Sequence, residues 1–193
     1  MKTIKTDAII FKSTHFFEND KLIEAFTPKL GKIKILAKGA GSSIRRFGGR
    51  IEPANLVQMV LYQGKSFYNL SQCQLQHSFL KIRDCYTRIT MAFYCFDIIR
   101  KATLFDQHNK ELFHLTHETL FKLNNLENPW EIKSFFEQNF LQIEGLLNKD
   151  NVNEKEFQIL FENYAQNRLP EHTLLRNTSV ESDLPQDRAW LSK

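Results

Sequence analysis

The chain has 193 residues, of which 42% are hydrophobic, and its formal net charge is +4 at neutral pH. This length suits one large domain or two small ones, and no apolar run approaches the ~20 residues that a membrane-spanning helix needs. The three cysteines (Cys73, Cys85 and Cys95) lack CxxC spacing, and the N-terminus lacks the apolar segment of a signal peptide. Together these features argue against a disulfide framework and predict a reduced, cytoplasmic protein without a membrane partner.

Positive charge is concentrated in the first part of the chain. Residues 1–80 contain 12 Lys+Arg and 5 Asp+Glu, a balance of +7, whereas residues 81–193 contain 14 and 17, a balance of −3. Such asymmetry suggests an anionic partner for the first part.

Five segments in the first eighty residues have the period of strands, and Gly, Pro or Asn signals separate them. Gln63-Gly64-Lys65 reads as a hairpin turn between the last two. Five short strands fit an OB-fold barrel, a scaffold that binds nucleic acids, although an SH3-like barrel would give a similar pattern. The predicted strands are Ile4–Lys12, Lys21–Thr27, Lys32–Lys38, Asn55–Gln63 and Ser66–His77.

The third of these strands and the loop after it are rich in cations. Alternation along the strand places Ile33, Ile35 and Ala37 on one face and three lysines on the other. Three arginines follow on a Gly- and Ser-rich loop, which completes a cationic track suited to a phosphate backbone. The alternative is a solvated strand face beside a surface loop. The track consists of Lys32, Lys34, Lys38, Arg45, Arg46 and Arg50.

Phe47 lies among these arginines and is the best candidate for stacking on a base, because its glycine-flanked loop offers little core to bury it. An equal alternative is that Phe47 anchors the loop by packing. Tyr62 and Tyr68 are further stacking candidates on the last two strands.

From about Ile82 the period becomes helical. Ile82, Tyr86, Ile89, Phe93 and Phe96 share one face, and the opposite face is also apolar, which predicts a central, buried helix. The pattern therefore predicts an α+β chain with a barrel domain over residues 1–80 and a helical domain over residues 81–193.

Three more helices follow in the pattern. Leu112 to Leu123 trace the second helix, and Ile132 to Leu147 trace the third, with Pro129 suited to its start. Asn153-x-x-Glu156 has the form of a capping box that opens a fourth. After Arg168 the pattern fades into a loosely docked tail.

Several short motifs follow one another along the chain in a specific order, and this ordered set resembles that of the bacterial recombination mediator RecO. Tyr86 to Lys101 and Leu141 to Leu147 continue the resemblance through the helical part. The N-terminal motifs are Asp7-Ala8-Ile9-Ile10, Glu18-Asn19-Asp20-Lys21-Leu22, Phe26-Thr27-Pro28, Gly31-Lys32, Ala37-Lys38-Gly39-Ala40 and Leu61-Tyr62-Gln63-Gly64-Lys65.

The resemblance implies an OB-fold barrel and a helical domain that bind and anneal single- and double-stranded DNA without nucleotide hydrolysis or a cofactor. It also implies two protein partners, RecR and the acidic C-terminal tail of single-stranded-DNA-binding protein, with RecA loaded indirectly. Candidate cations for the tail are Arg83, Arg88, Arg100 and Lys101.

One departure from the family concerns metal. Many RecO proteins carry a four-cysteine zinc hairpin after the Gly-Leu-Leu segment, but here Leu147 leads directly into Asn148 and no cysteine lies beyond Cys95. His114 and His117 have a chelating spacing without a third ligand nearby other than His108 or Glu118. We therefore expect no bound metal.

No motif predicts catalysis. Glu18 and Asp20 lack a partner motif for acid–base work, and the glycines do not match a P-loop or a dinucleotide fingerprint. The main alternative to a DNA mediator is an OB-fold RNA-binding or translation-associated module, and a small hydrolase is a distant third.

Overall fold

Five strands among the described residues close into a barrel. The computed structural model describes residues 3–41, 47–125 and 128–147, with the single positions 159 and 163. The strands follow one another in the order β1-β2-β3-β5-β4, and β4 pairs back with β1, which confirms the predicted OB-fold. Only β3 and β5 pair in parallel within this barrel. The strands are β1 (Thr3–Phe16), β2 (Asp20–Thr27), β3 (Gly31–Ala37), β4 (Leu56–Gln63) and β5 (Tyr68–His77).

The barrel interior is filled by the alternating apolar residues of the strands. Ile33, Ile35 and Ala37 of β3 lie in this core, as their period predicts. The apolar run in β1 serves two cores, because Ala8 and Ile10 point into the barrel while Ile9 and Phe11 pack against the helices.

Helices in the described part cover one side of the barrel: α1 (Leu80–Arg83), α2 (Tyr86–Ala102), α3 (Lys110–Asn124) and α4 (Pro129–Ile143). None of the helices in residues 3–41, 47–125 and 128–147 is long and apolar enough to cross a membrane. Pro129 starts α4, where Asn128 accepts a hydrogen bond from the Trp130 amide at 3.1 Å. The predicted fourth helix and the tail after Arg168 lie outside the described residues.

The first predicted helix is wrong in one respect. It is divided at Asp84 and Cys85 into α1 and α2, and Tyr86, which was expected on its buried face, is 82% exposed. The buried positions of α2 lie instead around Met91, Cys95 and Ile98. The apolar pattern on both sides of α2 did not reveal that the first turn of the helix, at Tyr86, lies in solvent.

A second apolar core lies between the barrel and the helices. The ring centroid of Phe11 lies 4.7 Å from that of Phe96 on α2, and Phe26 lies 6.3 Å from Phe113 on α3. The core also includes Phe79, which is fully buried at the junction of β5 and α1. Because this core crosses the predicted boundary at residue 80, function is best tested on the whole chain.

Candidate nucleic-acid interface

The predicted cationic track divides at Lys32, which lies between the barrel and the helices. Its side chain is buried, and its Nζ donates hydrogen bonds to the carbonyl oxygens of Arg100 and Thr103 at the C-terminal end of α2. Burial lowers the pKa of the Lys32 ammonium. The expectation that Lys32 lies on an open cationic surface is therefore wrong; this residue attaches α2 to β3.

The connection between α2 and α3 explains the burial of Lys32. The amide of Asp106 donates a hydrogen bond of 2.9 Å to the Lys32 carbonyl, so this connection runs along the start of β3. A Cβ on Gly31 would lie 1.9 Å from the Gln107 carbonyl oxygen, which leaves room there for glycine alone. Strand alternation shows that Lys32 points outward, but it does not show what covers the outer face.

Lys34 and Lys38 remain on the surface. Lys34 is exposed, and its Nζ lies 4.9 Å from the ring centroid of Phe105. Lys38 is exposed just beyond the end of β3. Arg45 and Arg46 lie outside the described residues, so their contribution to the track remains a proposal.

Arg50 belongs to a short 3-10 turn at Gly48–Ile51, and Phe47 lies directly before this turn. Phe47 is 4% exposed and lies in the barrel core, which favours the anchoring alternative over stacking on a base. The Nε of Arg50 donates to the Phe47 carbonyl at 2.8 Å, and its Nη1 donates to the Cys73 carbonyl at 3.3 Å. The rest of the Arg50 side chain is exposed.

The alternative stacking candidates on the last strands are half-buried. Tyr68 packs against the barrel core, and burial together with the Asp106 carboxylate raises its pKa. Tyr62 on β4 lies opposite Thr3 on the adjacent strand β1. Neither tyrosine is as exposed as Phe17.

The most exposed aromatic residue of the described barrel, Phe17, was not among the predicted stacking candidates. Phe16 and Phe17 lie at the β1–β2 turn, and Phe67 lies in the β4–β5 loop; we call these three residues the aromatic tip. The ring centroids of Phe16 and Phe17 are 4.5 Å apart, and those of Phe16 and Phe67 are 5.8 Å apart. The available signal was a pair of phenylalanines at a turn between two predicted strands.

Hydrogen bonds hold the start of the basic loop beside the aromatic tip. The Gly39 amide donates to Oδ1 of Asp20, and the Gly41 amide donates to the carbonyl of Asn19, both at 2.9 Å. These bonds place the segment that carries Lys38 next to the β1–β2 turn. The exposed Lys38 and the exposed ring of Phe17 thus lie at the same end of the barrel.

Two of the four candidate cations for a protein partner are used within the fold. Arg83 Nη2 donates to the Pro53 carbonyl at 2.6 Å and to Oδ1 of Asn55 at 2.8 Å. Arg100 forms ion pairs of 2.8 Å with both Glu24 and Asp97, and the hydrogen bond that it donates to Glu24 raises its pKa. These contacts hold α1 and α2 against the barrel, so Arg83 and Arg100 are poorly placed for a tail peptide.

The other two candidate cations, Arg88 and Lys101, lie on α2. Lys101 lies 3.9 Å from Asp97. The Nε of Arg88 is buried and has no hydrogen-bond partner in the described part of the chain.

No cluster of three potential metal ligands occurs among the described residues. His117 packs against Phe121 with ring centroids 5.2 Å apart, and burial lowers its pKa, whereas His114 is exposed on α3.

Comparison with known proteins gives two family matches. The family described as "Recombination protein O N terminal" matches residues 1–79, and "Recombination protein O C terminal" matches residues 83–147.

Curated relatives named DNA repair protein RecO match the same part of the chain. The protein of Clostridium novyi is 32% identical over 146 residues, which are 75% of this chain and 57% of that protein. The protein of Alkaliphilus metalliredigens is 29% identical over 144 residues, 74% of this chain and 58% of that protein. The chain thus spans somewhat more than half the length of these relatives.

Proposed function

Because this chain belongs to the recombination protein O family, we propose that it is a DNA repair and recombination mediator that binds single- and double-stranded DNA. We propose further that it promotes annealing of complementary strands without nucleotide hydrolysis. The observation that supports this most strongly is the OB-fold barrel on which Lys34 and Lys38 are exposed. Residues 1–80, which contain this barrel, have a charge balance of +7.

Annealing follows from charge neutralisation at this surface. Two strands repel each other through their phosphates, and a protein that neutralises several phosphates of one strand lowers that repulsion. Phosphate contacts carry no direct base information, so the bases stay available for pairing. In the proposal, Lys34, Lys38 and Arg50 contact phosphates together with Arg45 and Arg46, whereas Lys32 and Phe47 maintain the fold.

The helical part is proposed to bind the protein partners, RecR and the acidic tail of single-stranded-DNA-binding protein, and thereby to help load RecA. A groove of about 370 Å³ at the β5–α1 junction suits a tail that ends in an apolar residue. Leu75 and Leu80 expose 41% and 63% of their surface there, and Lys81 supplies a cation. The attraction would be salt-sensitive, because the charge is exposed.

The groove can be tested with a labelled acidic tail peptide titrated into the whole chain. Leu80→Ser combined with Lys81→Ala should weaken binding, whereas Arg88→Ala combined with Lys101→Ala should not. If the Arg88→Ala, Lys101→Ala variant binds the peptide more weakly and the Leu80→Ser, Lys81→Ala variant does not, the tail binds on α2 instead.

The annealing activity is tested with complementary labelled oligonucleotides in the absence of nucleotide. The triple variant Lys38→Ala, Arg45→Ala and Arg46→Ala should anneal several-fold more slowly than the wild type. A matched control, Lys5→Ala, Lys29→Ala and Lys110→Ala, removes the same charge from exposed positions elsewhere and should stay close to the wild type. Equal loss in both variants would contradict the proposed surface, and preference for structured RNA over DNA would favour the RNA-binding alternative.

A further inference from the structure

We propose that the aromatic tip, Phe16, Phe17 and Phe67, is a stacking site for unpaired bases. This proposal rests on the proposed function and extends it, because it assigns single-strand recognition to residues outside the cationic track. The rings lie in the β1–β2 and β4–β5 loops, which are the loops through which OB-folds contact oligonucleotides.

The exposure of Phe17 is the first argument. Its side chain is 80% exposed, although burial of a phenylalanine ring away from water is favourable. Its neighbour Phe16 is half-buried and meets it edge to face, with an interplanar angle of 71°. The arrangement fixes one ring as a support and leaves a second ring open to a ligand.

The backbone of Phe17 is the second argument. Its φ of +54° lies in the left-handed region, which glycine or asparagine occupies at lower cost than a bulky residue. The contact with Phe16 alone does not account for a strained residue whose side chain is 80% exposed. Such strain is often retained where the side chain contacts a ligand.

The surroundings identify the ligand as a nucleic acid. The exposed Lys65 lies two residues before Phe67 in the same loop, and the hydrogen bonds of Gly39 and Gly41 hold the Lys38 segment beside the β1–β2 turn. Cations near the exposed Phe17 ring match a strand in which phosphates alternate with flat, apolar bases. Because bases in a duplex already stack on each other, the rings favour single strands and strand ends.

The test compares the affinities of whole-chain variants for a single-stranded oligonucleotide and a long duplex. Phe17→Ala should weaken single-strand binding about five- to a hundredfold, the range for loss of one stacked base, and should leave duplex binding within about twofold. Phe17→Tyr keeps the ring and should bind like the wild type. Tyr86→Ala is the matched control, because Tyr86 is 82% exposed on the helical side.

An abasic single strand separates stacking from phosphate binding. It offers no bases, so the wild type and Phe17→Ala should bind it equally. Equal weakening of abasic and normal strands, or an unchanged affinity for normal strands, would overturn the stacking site and leave the proposed function intact. If the wild type binds no DNA, both proposals fail; if Phe17→Ala instead abolishes self-association in sedimentation velocity, the rings are a contact between copies.

Discussion

Replacing Lys32 with Met should destabilise the protein without weakening its binding to DNA. Methionine keeps most of the aliphatic length and removes the ammonium group, whose Nζ donates to the carbonyls of Arg100 and Thr103. The last carbonyls of a helix have no partner within the helix, and a cation near them also interacts favourably with the helix dipole.

The expected magnitude follows from these contacts. Hydrogen bonds to a charged group contribute ~1.5–3 kcal/mol each, and the contact of Nζ with the Phe105 ring, 4.5 Å from its centroid, adds roughly 0.5–1 kcal/mol. Removal of the ammonium also returns part of its burial cost, so we expect a net loss of about 3 kcal/mol in the free energy of unfolding. For a chain of this size that corresponds to a fall in Tm of roughly 6–12 °C.

Lys34→Met is the matched control for this measurement. It removes the same charge from the same strand and beside the same ring, but Lys34 is exposed, so its loss should cost less than about 1 kcal/mol. Thermal and urea unfolding followed by circular dichroism measure both variants, and DNA affinity is measured at one salt concentration. Equal Tm values for the two variants, or a lower DNA affinity for Lys32→Met at an unchanged Tm, would refute this reasoning.

The remaining predictions concern pH, the helical core and metal. Folding lowers the pKa of Lys32 below its ordinary value of 10.5. Between these two pKa values the unfolded chain therefore binds more protons than the folded protein. The free energy of unfolding, relative to that of Lys32→Met, should rise with pH across this alkaline window. Tyr94→Phe should lower the free energy of unfolding in urea by ~1.5–3 kcal/mol, because the buried Tyr94 hydroxyl donates to the Glu137 carboxylate, and an unchanged midpoint would contradict this role. Elemental analysis should find no stoichiometric zinc, since the chain has only three cysteines in no local pair; one zinc per chain would contradict this, with His114 and His117 the first residues to replace.

The sequence predicted the barrel well, because strand period and turn residues are local signals. The five strands lie within a few residues of their predicted positions, and only β1 is markedly longer than expected, continuing to Phe16. The division between α1 and α2 was not predicted, because Ile82, Tyr86 and Ile89 keep a helical spacing across the break at Asp84 and Cys85. The end of α4 was predicted four residues too late, since Gly145 stops the helix with a φ of +72°.

The candidate site was less predictable, because it depends on how distant segments pack. Alternation places Lys32 and Lys34 on one strand face, but only the tertiary fold covers the first with residues 103–107 and leaves the second exposed. The sequence left stacking and anchoring equally open for Phe47, and only the tertiary fold places its ring in the barrel core. The aromatic tip combines residues about fifty positions apart in sequence, which no local pattern can join.

The central claim is that the barrel binds DNA through its phosphates, and the salt dependence of affinity tests this most directly. If about five phosphates are neutralised, log K against log salt should have a slope near −3.5 for single strands and near −4.5 for duplex. The triple variant Lys38→Ala, Arg45→Ala and Arg46→Ala should reduce the single-strand slope to about −1.4, because roughly two contacts would remain. An affinity that does not change with salt, or a slope that the triple variant leaves unchanged, would contradict the account.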